Sequence, residues 1–271
     1  MTHIDFVKMV ASGNDFIVVD NRKSEIPGLG LHAFARQICD RNYGVGGDGL
    51  ILIELSKKAD FRMRIINSDG SEAEMCGNGA RCAALFANEK GIAGKNMGFE
   101  TLAGMIEAEV AGEVVRLKMS DPTDLRREVR ILIENENYIA HFVNTGVPHT
   151  IIYVEDLDSW DVKRLGREIR HHKTFAPKGT NVDFVEVLEG NILRVRTYER
   201  GVEDETLACG TGVVASGIIS AALKNFKSPV VCLTKGGDKL KIYFRRNGDS
   251  FNDVYLEGGA REVFSGRYPY K

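Results

Sequence analysis

Two cysteines, Cys76 and Cys209, open the same short element: Cys76-Gly77-Asn78-Gly79 and Cys209-Gly210-Thr211-Gly212. Each is followed by a run of small and apolar residues patterned as a helix, Ala80–Asn88 in one case and Val213–Leu223 in the other. The first N–H groups of a helix lack intrahelical partners and carry the positive end of its dipole. A thiol placed there is expected to have a lowered pKa, so that it can act as a thiolate near neutral pH. The glycines let a ligand approach the backbone, and the same N–H groups can hold a carboxylate. One such element would suggest an ordinary nucleophilic cysteine. Two at matching positions suggest a shared cleft with a thiol on each wall. That arrangement suits inversion of a stereocentre, where a base removes a proton from one face and an acid returns one to the other. The two groups would hold one proton between them and titrate as a pair.

The elements that must position these cysteines repeat as well. At an offset of 133 residues Gly13 matches Gly146, Gly46 matches Gly179, Glu72 matches Glu205, Thr101 matches Thr234 and Gly104 matches Gly237. A period this long reads as two similar domains. Each half begins with a strand, 16–20 and 150–154, followed by an amphipathic helix, 29–40 and 157–170. A buried strand comes next, 50–54 and 183–187. Then comes an alternating strand, Phe61–Ile66 and Leu193–Tyr198, with the period of two expected of a sheet. The helices that open after the cysteines are apolar or small on nearly every side, so each should be buried all round and wrapped by sheet. Further strands are expected near 105–110, 114–119, 239–245 and 253–257. The fold class that follows is α+β: two pseudo-symmetric domains, each a curled, mostly antiparallel sheet around a central helix. The break is expected at Ser120–Asp124. This gives domains 1–120 and 121–262, with the tail 263–271 returning to the first.

Composition bounds the function. The chain has 271 residues, 43% of them hydrophobic and 27% charged, which is ordinary for a globular protein. Its formal net charge of -2 gives no support for nucleic acid or an anionic membrane as a partner. No stretch is long and apolar enough to span a bilayer and no signal-like segment opens the chain, so a cytoplasmic location is expected. The five cysteines are odd in number and lack a Cys-x2-Cys pair, which argues against a disulfide framework and against structural zinc. No metal site is expected. Cys39 and Cys232 have no polar cluster beside them in sequence and Cys82 lies inside the expected helix, so all three read as core filler. Gly44-Val-Gly-Gly-Asp-Gly49 fits a dinucleotide-loop pattern, but it follows a helical stretch and opens a strand, the reverse of the required order.

Four segments carry a resemblance: Ser12-Gly-Asn-Asp-Phe16, the run from Asn67 to Cys82, Gly179-Thr-Asn181, and the run from Glu199 to Gly212. Together they resemble the diaminopimelate epimerase family over essentially the whole chain. The resemblance implies conversion of LL-diaminopimelate to the meso form, for lysine and peptidoglycan precursors, without cofactor or metal, by a cytoplasmic homodimer. It implies that Cys76 and Cys209 are the acid and base. It also implies that backbone at Gly77, Asn78, Gly210 and Thr211 holds the reacting carboxylate. Asn14, Asn67, Asn181 and Arg200 would hold the substrate, mainly its distal end, with Glu199 and His149 near the reacting centre. Two positions depart from the family pattern: Val147 stands where many members have Asn, and Gly49 where many have Gln. The alternatives are a racemase of another amino acid on the same scaffold, a dehydratase using the same proton abstraction, a dithiol redox sensor, and a ligand-binding module without activity.

Overall fold

The computed structural model describes residues 2–24, 26 and 30–270. It is a sheet-dominated α+β structure with four α-helices among the described residues: α1 (Leu31–Cys39), α2 (Gly77–Glu89), α3 (Val162–Arg170) and α4 (Gly210–Lys224). The chain clusters into two compact units, one running to Leu117 and resuming at Gly258, the other comprising Lys118–Glu257.

In the first unit, strand Asn14–Asp20 lies antiparallel to Thr2–Ala11 and parallel to Gly49–Glu54. Strand Phe61–Asn67 is antiparallel to Gly49–Glu54 and parallel to Asn96–Thr101, which leads into the hairpin strands Gly104–Ala111 and Val114–Lys118. Parallel neighbours need a long crossover, and α1 and α2 supply the two crossovers here. The final strand, Arg261–Tyr270, pairs with Thr2–Ala11. Strand Gly49–Glu54 is covered on both faces, which accounts for its unbroken Leu-Ile-Leu-Ile run. Leu50, Leu52 and Ile66 join Leu31, Phe34, Ala35 and Ile38 of α1 in one core. On the alternate face Ile51, Ile65 and Phe16 close on Gly79 of α2.

In the second unit, Pro148–Tyr153 runs parallel to Asn181–Leu188, which is antiparallel to Ile192–Glu199; that strand is in turn parallel to Val230–Thr234. Here α3 and α4 make the crossovers. Val182, Phe184 and Tyr198 pack with Val162, Leu165 and Ile169 of α3. The intervening residue, Asp183, therefore faces α4. Residues Asn78–Ala87 of α2 and Gly212–Ala221 of α4 are all buried. Each helix touches strands from across its own sheet. Both are thus enclosed by their sheets, the arrangement that their all-round apolar sequences require.

Several boundaries differ from the sequence reading. The start expected for the first amphipathic helix, Leu29, lies outside the described residues. The helix expected over 157–170 is two pieces: a single 3₁₀ turn, Leu157–Ser159, and then α3. They part because the Asp161 carboxylate caps α3, accepting from the Arg164 N–H at 3.1 Å. Both cysteine helices start three residues earlier than the apolar pattern, at Gly77 and Gly210, so the Gly-x-Gly residues form their first turns. The hairpin Thr123–Ile133 and Glu136–Asn144 was not expected at all. Its first strand is largely exposed, so it carries too little apolar alternation to be read as sheet.

Candidate active site

Cys76 is the residue immediately before α2, in extended backbone, and its carbonyl accepts the first helical hydrogen bond, from Ala80 at 2.8 Å. Its side chain is half-buried. A methyl group at Gly77 would meet nothing within 4 Å, so the backbone there is open to a ligand. Behind this turn runs a polar chain. Arg81, fully buried, donates to Asn78 Oδ1 at 2.9 Å and to Ser12 Oγ at 2.7 Å. Asn78 in turn donates to Asn14 Oδ1 at 2.7 Å, and Asn14 donates to Asp48 Oδ2 at 2.8 Å. Arg41 bridges Asp48 and Asp15. Lys8 pairs with Asp15 at 2.7 Å and donates to the Gly46 carbonyl. Burial by itself would raise the Asp15 carboxyl, but hydrogen bonds and charge from Arg41 and Lys8 outweigh it and hold the group at about 2. Asn14 and Asn78 are thereby brought together with their amides fixed. Asn67 is held in its own turn, donating to Ser71 Oγ at 2.9 Å.

Cys209 holds the same place before α4, its carbonyl accepting from Val213 at 3.0 Å. It is more enclosed, with 7% of its surface exposed. Its sulfur lies 3.4 Å from Thr211 Oγ1, and Thr211 Oγ1 lies 2.9 Å from His149 Nε2. His149 Nδ1 lies 2.7 Å from Asp183 Oδ2, and both side chains are fully buried. Thr197 donates to the other Asp183 oxygen at 2.7 Å. Asn181 donates to the Pro148 carbonyl at 3.1 Å and accepts from the Arg200 backbone N–H at 2.8 Å. His149, Asn181, Arg200 and Thr211 are therefore in one hydrogen-bonded group that leads to Cys209.

The direction in which the Cys209 pKa is shifted differs from the sequence expectation. Burial raises its thiol pKa well above the ordinary value, and the Glu199 and Asp183 carboxylates add to the effect. The Gly212 N–H, within reach of the sulfur, opposes this and is outweighed. A helix N-terminus favours a thiolate, but removing the sulfur from water costs more here. Burial also raises Glu199.

A family model described as diaminopimelate epimerase matches residues 6–124 and 141–263. The chain belongs to the diaminopimelate epimerase family. A protein of that name from Aquifex aeolicus is 46% identical over 276 aligned positions, covering 97% of each chain. One from Chlorobaculum tepidum is 47% identical, covering 95% of this chain and 98% of its own. Among solved structures, a phenazine biosynthesis protein of the PhzF family from Bacillus anthracis superimposes with a TM-score of 0.77 over the full length of both chains, at 16% identity. At that identity the likeness concerns the fold.

Viewed within this family, the two departures have different settings. A Cβ at Gly49 would stand 2.9 Å from the Ile66 carbonyl, so close backbone packing favours glycine there. Val147 is half-buried, and its carbonyl accepts from the Thr145 N–H at 3.1 Å.

The sequence reading missed Asp183, Thr197, Arg81, Ser12 and Asp48. A signal existed for three of them. Asp183 is a carboxylate in the otherwise apolar run Val182–Val185. Arg81 is a charge inside a helix of small residues. Asp48 sits in the glycine-rich loop that was set aside once a dinucleotide site was rejected. Ser12 opens one of the four resembling segments but was given no role there, and Thr197 is unremarkable in sequence. Among the described residues no group of three or more His, Cys, Asp or Glu side chains could hold a metal ion, and no helix is long and apolar enough to cross a membrane.

Proposed function

We propose that this chain interconverts LL- and meso-diaminopimelate without a cofactor, Cys76 and Cys209 serving opposite faces of the α-carbon. One cysteine, as thiolate, takes the α-proton: an S–H bond forms, the C–H bond breaks and its electron pair stays on carbon. The other, as thiol, returns a proton to the opposite face and keeps its S–H electron pair as thiolate. The observation that carries this reading is the matched placement of both thiols, each immediately before a buried helix whose first turn is Gly-x-Gly. First-turn N–H groups at Gly77, Asn78, Gly210 and Thr211 would hold the reacting carboxylate and stabilise charge as the carbanion develops. Relatives named diaminopimelate epimerase, at 46% and 47% identity, support the substrate. The raised thiol of Cys209 supports its starting as the proton donor.

In this reading the two compact units are pseudo-symmetric epimerase domains, and each contributes one thiol. Asn14, Asn67, Asn181 and Arg200 bind the distal amino-acid end, while Glu199 and His149 lie toward the reacting centre. A cytoplasmic location, a homodimeric assembly and a place in lysine and peptidoglycan precursor synthesis rest on the family resemblance alone.

The test is incubation of LL-diaminopimelate with the protein in deuterium oxide, with no cofactor added. Appearance of the meso isomer with deuterium at the inverted α-carbon is the expected result. Exchange with another amino acid but not with diaminopimelate would move the assignment to a different substrate. No exchange at any α-carbon would refute it.

A further inference from the structure

The hydrogen-bond network around His149 fixes which ring nitrogen carries the proton. Asn181 Oδ1 accepts from the Arg200 backbone N–H at 2.8 Å, so the amide cannot be turned over without losing that bond. Its NH2 group therefore faces the Pro148 carbonyl at 3.1 Å and His149 Nε2 at 3.4 Å. At 3.4 Å that contact is weak and only compatible with an accepting Nε2; the Asp183 carboxylate, which can only accept, decides the tautomer. The proton then sits on Nδ1 and is donated to Asp183 Oδ2 at 2.7 Å. Thr211, whose hydroxyl oxygen is 2.9 Å from Nε2, must give its only proton to the ring. What it offers Cys209, 3.4 Å away, is a lone pair, and a lone pair accepts from S–H.

We propose that Asp183 is a positioning residue which, through the His149 tautomer and the Thr211 hydroxyl, holds Cys209 in its proton-bearing form. The proposal rests on the reading that Cys209 exchanges a proton with substrate. It goes beyond that reading in assigning a role to a carboxylate two bonded neighbours away from the sulfur. A hydroxyl lowers a thiol's pKa only when its proton is free to point at sulfur, and here that proton is engaged by His149. The titratable groups that bear on Cys209 are Glu199 and Asp183, and burial acts in the same direction as both carboxylates.

The site is built around this carboxylate. A Cβ at Gly212 would lie 2.2 Å from Asp183 Oδ1, so the glycine makes room for it at the first turn of α4. There the helix dipole and the Thr197 hydroxyl, at 2.7 Å, stabilise a fully buried charge. The matching glycine in the first turn of α2, Gly79, is faced by Ile65, Ile51 and Phe16 instead. The Cys76 helix thus has apolar side chains where the Cys209 helix has a carboxylate, and the device belongs to one thiol only.

The experiment is NMR of the full chain, with 15N-labelled histidine to read the tautomer and 13Cβ-labelled cysteine to follow Cys209 as pH is varied. The wild-type protein is expected to show His149 protonated on Nδ1 alone at neutral pH. In Asp183→Ala the acceptor is gone, so the Nε2–H tautomer should appear. Thr211 is then free to donate to sulfur, and the Cys209 titration midpoint should fall by about one pH unit or more. Wild-type His149 protonated on Nε2 at neutral pH would overturn the proposal, and that result needs no variant to fold. So would an Asp183→Ala protein that keeps the Nδ1–H form with an unmoved Cys209 midpoint. The tautomer is read without substrate. A wild-type protein with Nδ1–H but no action on diaminopimelate would therefore contradict the proposed function and still support this assignment.

Discussion

The Asp183 carboxylate occupies the space that a side chain at Gly212 would need, its Oδ1 only 2.2 Å from the position of a Cβ there. The second glycine of Cys209-Gly210-Thr211-Gly212 is therefore set by a neighbouring strand and not by backbone conformation.

Gly212→Ala should force Asp183 off Thr197 and His149. Overpacking of a tight core costs about 1–3 kcal/mol. We expect a loss of that size in the unfolding free energy from urea titration, and a loss of epimerase activity larger than the stability loss explains. An alanine variant with wild-type stability and turnover would show that the carboxylate does not need its observed place.

Arg81 anchors the corresponding layer of the first unit, donating to Ser12 and Asn78 from a fully buried position. Arg81→Met removes both bonds and strands two buried acceptors, each costing about 1–3 kcal/mol. We expect a lower melting temperature. Because Asn78 also fixes Asn14, the KM for diaminopimelate should rise. Unchanged melting and KM together would contradict this chain of contacts.

Alkaline pH should destabilise the fold in a defined window. Burial pushes the thiols of Cys39 and Cys82 up to about 12, and raises Cys209 and Cys232 as well. An unfolded cysteine ionises near ~8.5. Above that pH the unfolded chain binds fewer protons than the folded one, so stability falls as pH rises. The slope is about 1.4 kcal/mol per pH unit for each such thiol. Below ~8.5 both states carry the proton and the contribution is flat. Urea midpoints measured from pH 7 to 11 should show this break, and Cys82→Ala should flatten the slope above it. A slope that Cys82→Ala leaves unchanged would contradict the assignment.

How much of this could be read from the sequence depended on whether a feature repeats. The Cys-Gly-x-Gly elements and the apolar helices after them recur at one offset, and this marked Cys76 and Cys209 and the α+β class. Asp183 and Arg81 have no counterpart that draws attention. What makes them part of the site is burial opposite a helix start, which needs the strand register: Val182 and Phe184 turn to α3, so Asp183 must face α4. The hairpin Thr123–Ile133 with Glu136–Asn144 was invisible because its first strand is solvated and carries no clean apolar alternation. The direction of the Cys209 pKa shift was misread for a related reason. Sequence places the sulfur at a helix start, but only packing says how little water reaches it.

The most direct measurement is turnover of LL-diaminopimelate by Cys76→Ala and by Cys209→Ala, each checked for an unchanged fold by circular dichroism. If both thiols carry protons in the reaction, each variant alone loses inversion, by about 10²-fold or more, the least that one positioned acid or base contributes. Inversion at the wild-type rate by either folded variant would contradict the two-thiol account.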